Sequence, residues 1–375
     1  MFPVGVLAVD RHQSTIEISS IVLWRSTGGA LHRHSIVAFE TLCSSGRQEV
    51  DLNILGIDIG YSNLKLAYGE KGATPKTLLR PAGAAPADRF SSRFDGKAQD
   101  DFLHVQVNGE PFIAGVAPDR AEMWSRSLHA DYPSSASYQA LFHAGLLLSE
   151  ADHVDMLVTG LPVSQYLDEK RRHAIAEQMK GSHQVTPKRS VSVDAVKVIP
   201  QPVGGFLDFI AGGDADIEGA RVLVIDPGFF SVDWVVIADS DLHRQSSGTS
   251  LEASSVVLEE ASRLIAKDYG SNVSTEKLEN AIRGGKAEVL VLGKRVDLGP
   301  YIEQASRKVA PVVVESIQKS LRKESESVDR VLLVGGGAPF FKEALGTAFA
   351  QLTVVTTKEP VFSNARGFWL MGASL

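Results

Sequence analysis

The chain is expected to be an α/β protein with more than one layer. Three observations predict this. Short apolar strands mix with amphipathic helices throughout. One strand–turn–strand segment occurs twice, and an apolar strand runs into a helix through three glycines. The 375 residues are 44% hydrophobic and 22% charged, the profile of a folded chain with room for two to three ordinary domains.

Composition also excludes some functions. A net charge of -7 argues against broad direct binding of nucleic acid, because affinity for phosphate backbones comes from clustered Lys and Arg. Cys43 is the single cysteine. It rules out an internal disulfide framework and cysteine-rich metal sites, and it fits a reducing cytoplasm. No apolar run approaches the ~18–20 residues that span a bilayer. No basic region precedes the apolar stretch in Met1–Asp10, so no signal peptide and no membrane association are expected.

The elements read in order as follows. Residues 1–51 look unlike the rest. Val4–Val9 and Ile16–Trp24 have short-strand character, while Ser26–Gly29 and Ser44–Gly46 read as loop, so an irregular extension is expected. A functional arm is the other reading. From Asn53 the pattern sharpens: Ile54–Ile59 and Asn63–Tyr68 are strands. Residues 70–100 read as loop, and His104–Val107 with Pro111–Gly115 as a hairpin around Asn108-Gly109. Ser137–Ser149 is helical and Val154–Thr159 a buried strand. Gln165–Met179 reads as one amphipathic helix, followed by a strand over Val191–Ile199 and a helix near Pro202–Ala211. The second half repeats this grammar. Arg221–Ile225 and Val232–Ile237 are strands and Leu251–Lys267 a helix. Ser274 can cap a helix to Ile282. Glu288–Leu298 is a hairpin, Ile302–Leu321 a long helix, Arg330–Val334 a strand and Pro339–Phe349 a helix.

The repeat points to chemistry. Leu55-Gly56-Ile57-Asp58-Ile59-Gly60-Tyr61-Ser62-Asn63-Leu64-Lys65 matches Leu223-Val224-Ile225-Asp226-Pro227-Gly228-Phe229-Phe230-Ser231-Val232-Asp233. Each is an apolar strand, an Asp, one residue, a Gly, a turn and a second strand. The Gly permits a tight turn and lets backbone N–H groups approach a phosphate. A carboxylate at the strand end would repel that phosphate unless a cation lay between them. Asp58 and Asp226 are therefore read as holders of Mg2+, through its waters. Lys65 can return positive charge to the phosphates. One Asp-x-Gly alone is ordinary hairpin chemistry; two copies between buried strands argue against that reading. The third element, Val331-Leu332-Leu333-Val334-Gly335-Gly336-Gly337-Ala338-Pro339, offers bare backbone at a helix N-terminus. Phe340 stands where a dinucleotide fingerprint needs its last Gly, and no Walker-type G-x-x-x-x-G-K-[ST] occurs.

In this order the motifs resemble the superfamily of actin, sugar kinases and heat-shock ATPases, over about 320 residues from Asn53 to Leu375. Within it they are most similar to the ParM/StbA plasmid-segregation actins. That likeness rests on Val196-Lys197-Val198-Ile199-Pro200-Gln201-Pro202, on Gly160-Leu161-Pro162, and on Asn364-Ala365-Arg366-Gly367-Phe368. The resemblance implies an actin-like (ribonuclease H-like) fold of two lobes with a nucleotide cleft between them. Lobe I would take 52–218 plus 350–375, with an insertion at about 75–135, and lobe II 219–349. It further implies ATP and Mg2+ as ligands, ATP hydrolysis, and self-assembly into a filament that moves plasmid DNA through a separate DNA-binding adaptor.

By the same resemblance, Gln201 takes the water-positioning place, with Asp58 and Asp226 as its catalytic partners. Gly60, Tyr61, Ser62, Asn63 and Lys65 would hold phosphate from one side, and Gly228, Phe229, Ser231 and Asp233 from the other. Gly335, Gly336, Gly337 and Ala338 would meet adenosine. Thr249 lies near the nucleotide, and Glu276 and Lys277 fall on the helix that contacts adenosine and ribose. Each has a plainer reading: a polar helix cap for Gln201, N-capping for Thr249, and a solvated charged face for Glu276 and Lys277. Phe229 and Phe230 replace small residues in the second turn, where any φ > 0 position would be costly. A small-molecule kinase and a non-polymerising ATPase scaffold are the alternative functions.

Overall fold

The computed structural model describes residues 52–91, 101–122, 129, 131–213, 217 and 219–375; the extension expected over 1–51 lies outside them. Ile54 to Ile59 are buried at every position, as in a central strand covered on both faces. This strand, Asn53–Ile59 (β1), turns back antiparallel on Asn63–Glu70 (β2) and sets Asp58 opposite Lys65. Lys76–Pro81 (β3) adds an antiparallel neighbour to β2. Gly83–Pro86 (β4), Leu103–Val107 (β5) and Glu110–Val116 (β6) form a small sheet in the order β4-β6-β5. In the β5–β6 turn Asn108 and Gly109 take φ of 51° and 89°, the left-handed backbone expected of an Asn-Gly hairpin.

Ala136–Leu148 (α1) leads to His153–Leu161 (β7), parallel to β1. Val163–Tyr166 (α2), Glu169–Met179 (α3), Gly181–Thr186 (β8), Arg189–Pro200 (β9) and Gln201–Ala211 (α4) follow. The first sheet runs β3-β2-β1-β7-β9-β8. Val222–Pro227 (β10) and Val232–Ala238 (β11) then pair antiparallel, with Asp226 opposite Asp233. Next come Asp241–Leu242 (β12), Gly248–Ser250 (β13), Ser254–Tyr269 (α5), Thr275–Arg283 (α6) and the hairpin Glu288–Val291 (β14) with Lys294–Asp297 (β15). Gly299–Leu321 (α7), Arg330–Leu333 (β16), Ala338–Ala348 (α8), Thr353–Thr356 (β17) and Ser363–Ser374 (α9) follow. The second sheet runs β12-β11-β10-β16-β17. Strand β10 is antiparallel to β11 and parallel to β16, just as β1 stands to β2 and β7. The sequence repeat is therefore a repeat of architecture.

Four readings change. Part of the expected loop at 70–100 is strand: β4 pairs with β6, and β3 satisfies the outer backbone groups of β2, although the side chains of β3 show no two-residue alternation in burial. The helix expected over Gln165–Met179 is two, because Asp168 accepts from the N–H groups of Lys170 and Arg171 and starts α3 afresh. Strand β8 was not foreseen. Strand β17 pairs in parallel with β16, so residues 353–356, grouped by sequence with lobe I, join the second sheet instead.

Each sheet has its own core, and a third apolar cluster lies between them. Val203, Phe206 and Leu207 of α4 meet Val224 and Val235 of the second sheet there, together with Phe368 of α9. Helices α4 and α9 touch backbone to backbone. A Cβ at Gly367 would sit 1.7 Å from the Gly204 carbonyl oxygen, a separation no side chain can occupy. Gly205 likewise lets α4 close on Val334. Among the described residues no helix is long and apolar enough to cross a membrane.

Candidate functional site

The two repeated hairpins face one cleft of about 340 Å3, which the Gly335–Gly337 turn also lines. The turns close alike: Gly60 N–H donates to the Asn63 carbonyl at 3.0 Å, and Gly228 N–H to the Ser231 carbonyl at 2.8 Å. Neither glycine has a positive φ, and neither Phe229 nor Phe230 does. The bulky second turn therefore carries no left-handed strain. Gly60 and Gly228 are needed for closeness instead, since a Cβ at Gly228 would lie 2.9 Å from the Ser231 oxygen.

Asp58 is 1% exposed. Lys65 Nζ reaches its Oδ2 at 2.6 Å, and Gln201 Nε2 donates to its Oδ1 at 3.1 Å. Asp226 accepts from Asn364 Nδ2 at 2.7 Å on Oδ2. Burial raises the Asp226 pKa to about 7; the Asn364 hydrogen bond opposes the rise and the Asp58 charge adds to it. Two buried carboxylates thus share one lysine, and the cleft is short of positive charge. Hard carboxylate oxygens around such a deficit suit Mg2+.

The third motif divides its labour. Gly335 takes a φ of +80°, and a Cβ there would fall 2.0 Å from Asp226 Oδ1. Gly337 N–H donates to the Pro227 carbonyl at 2.8 Å, and a Cβ there would strike Ser254 Oγ. Both glycines thus fasten the turn to the second hairpin. Gly336 is exposed, and a Cβ there would meet only Val361 at 3.5 Å. Ala338 begins α8, is buried and does not line the cleft.

Of the remaining candidates, Tyr61, Ser62, Asn63, Lys65, Phe229, Ser231 and Gln201 line the cleft, whereas Asp233, Thr249, Glu276 and Lys277 do not. Asp233 is buried beneath the turn. It accepts from Ser231 Oγ at 2.6 Å, Thr249 Oγ1 at 2.6 Å and the Val163 N–H at 2.7 Å, and burial holds its pKa above the usual range. Thr249 in turn accepts from the Ser164 N–H at 3.0 Å. The pair ties the second hairpin to the Gly160-Leu161-Pro162 segment. Lys277 Nζ donates to the Leu290 carbonyl at 2.6 Å, and Glu276 accepts from Thr275.

Sequence reasoning missed the stripe of α6 that does reach the cleft. Glu279, Ile282 and Arg283, at i, i+3 and i+4, line it. Ser62 Oγ donates to Glu279, while Arg283 Nε donates to Asn63 Oδ1 at 3.1 Å and Nη2 to the Ser62 carbonyl at 3.2 Å. The signal available was the Glu–Arg spacing on an amphipathic helix. Tyr61 also stacks on Phe230 at 4.4 Å and packs against Tyr132 at 4.6 Å, so aromatic faces join the two turns.

Two matching sheets, a strand–Asp–turn device on each and a shared helix pair define the actin-like class. Comparison with known families agrees. The model for the N-terminal domain of actin-like proteins matches residues 56–204, and that for the C-terminal domain of the MreB-like archaeal actin homologue matches 224–347. The chain belongs to the actin-like superfamily. An archaeal actin homolog from Thermoplasma volcanium is 23% identical over 334 residues, covering 84% of this chain and 97% of the relative. The crystal structure of an archaeal actin homolog in complex with ADP superposes with a TM-score of 0.66 at 22% identity, covering 84% of this chain and 97% of that one. A chain of a 15-stranded ParM filament from Clostridium botulinum superposes with a TM-score of 0.67 at 17% identity, covering 87% of this chain and all of the other. Such identities speak to the fold.

Proposed function

We propose that the chain binds and hydrolyses ATP with Mg2+ and polymerises into filaments that segregate plasmid DNA in the cytoplasm, through a DNA-binding adaptor. The facing of Asp58 and Asp226 across one cleft, each on an equivalent hairpin, is the observation that carries the nucleotide part. Asp58 and Asp226 would hold the cation, which when bound would supply charge neutralisation at the phosphates. Lys65 adds positive charge. Gln201, fixed by its hydrogen bond to Asp58, keeps its amide oxygen available to orient the attacking water. Assembly is supported by likeness to the ParM filament subunit; the DNA cargo and its adaptor rest on the resemblance of the sequence motifs to the plasmid-segregation actins.

Purified protein should pellet with ATP and Mg2+ and stay in solution with ADP. Failure to pellet across a wide range of concentration and salt sinks the filament reading.

Proton linkage tests the cation site separately. The folded pKa of Asp226, about 7, lies above its ordinary value of 3.8. The neutral acid therefore stabilises the ligand-free fold at low pH, and this contribution is lost as pH rises through about 7. A cation favours the carboxylate, so binding of Mg2+–ATP should release a proton at pH 6 but not at pH 9. Titration calorimetry in buffers of different ionisation heat reads this directly; equal apparent heats at pH 6 would remove Asp226 from the site.

A further inference from the structure

The β14–β15 hairpin is apolar on its inner face and also presents leucines outward. Val289, Val291 and Val296 face the core, yet Leu290 is 55% exposed and Leu292, at the tip, 72% exposed. The turn places Leu292 at φ 47° and Gly293 at φ 81°. Asn, Asp or Gly ordinarily fill the first of these positions, because a residue with a larger side chain resists the left-handed region. Leu292 is thus unfavourable twice, in its backbone and in its exposure. A strained, exposed apolar residue is a reason to look for a partner.

A matching receptor lies elsewhere on the same lobe. Helices α7 and α8 border a groove of about 840 Å3, floored by Ile302, Val314, Phe340 and Ala344. The base of the hairpin, at Ala287 and Leu298, forms one wall, but Leu290 and Leu292 are not in its lining. The tip therefore does not fill its own groove. Charges match as well. Lys294 and Arg295 flank the tip, Arg295 paired with Glu288 of its own hairpin, while the charged residues lining the groove, Lys286, Asp297, Glu303, Arg307, Glu315 and Glu343, are net negative. Arg307 is engaged with Glu303 and Glu343, whereas Glu315 makes no ion pair among the described residues.

We infer that the occupant of this groove is the Leu290–Leu292 tip of a second copy of the chain. A knob on one surface and a pocket on another give a contact that adds subunits one after another. The inference rests on the self-assembly proposed above and supplies a contact for it.

Leu292→Asn suits the turn better than Leu and removes the knob, so the variant should fold at least as well as the wild type. Its critical concentration for pelleting should rise roughly tenfold or more, the scale of losing one apolar anchor. Pelleting like the wild type overturns the contact. A second measurement needs no filament. In a Cys43→Ser background, Leu292→Cys and Thr347→Cys proteins are mixed with a short bismaleimide. A covalent heterodimer, absent from either protein alone, supports the contact, and its absence overturns it. Cross-linking by a chain that never pellets would keep the contact while the filament reading falls. Pelleting without cross-linking would do the reverse.

Discussion

Asp226→Ala should lower the proposed ATP turnover at least 100-fold, roughly 2.7 kcal/mol of barrier. The loss is large because the other carboxylates near the cleft, among the described residues, are already engaged, Glu279 by Arg283 and Ser62. Asp58 is already engaged by Lys65 and Gln201, and Asp233 is spent beneath the turn on three hydrogen bonds. The fold should survive. The variant leaves Asn364 without its acceptor, at about 1–3 kcal/mol, but it also removes a carboxyl whose charge burial disfavours. Steady-state phosphate release beside a thermal melt separates the two effects. Wild-type turnover in a folded variant would overturn the assignment of the site.

Gly367→Ala should destabilise the protein by about 3 kcal/mol or more, among the larger costs of a single methyl group. The added carbon would meet the carbonyl oxygen, carbonyl carbon and Cα of Gly204. Backbone cannot rotate aside as a side chain can, so α4 and α9 must part. Their separation would loosen Phe368, which is packed with both sheets. The midpoint of urea unfolding reads the cost. Gly346→Ala, on α8 where a Cβ meets nothing within 4 Å, is the control and should hold stability or raise it by up to about 1 kcal/mol, the helix preference for Ala over Gly. Equal midpoints for the two variants would show that the helices do not depend on this contact.

The devices that repeat were legible in the sequence. Asp58 and Asp226 stood out because each ends an all-apolar strand and precedes a glycine turn, a local pattern that needs no knowledge of distant partners. The turn of Asn108 and Gly109 was legible for the same reason. What stayed hidden depends on contacts between distant segments. Asp233 keeps the spacing of a ligand residue, but its carboxylate is claimed by Val163 and Thr249, which belong to other elements. On α6 the helix was readable but not its height against the cleft, so Glu276 and Lys277 stood in for Glu279 and Arg283. Strand β3 was hidden because its pairing with β2 is made by backbone groups, which leave little mark on composition. The strain of Leu292 shows only as a backbone angle.

The placement of α9 bears on how the protein is made. Gly56 leaves the space in which α9 lies over β1, and Trp369 donates to the carbonyl of Gly69, 300 residues earlier. At translation rates of about 5–20 residues per second, roughly 15 to 60 s separate the synthesis of the first hairpin from that of its cover. Through that interval the nascent first sheet keeps one apolar face open. A chain cut short before Asn364 would carry both repeated turns but leave that face of β1 uncovered, a natural client for chaperones and proteases.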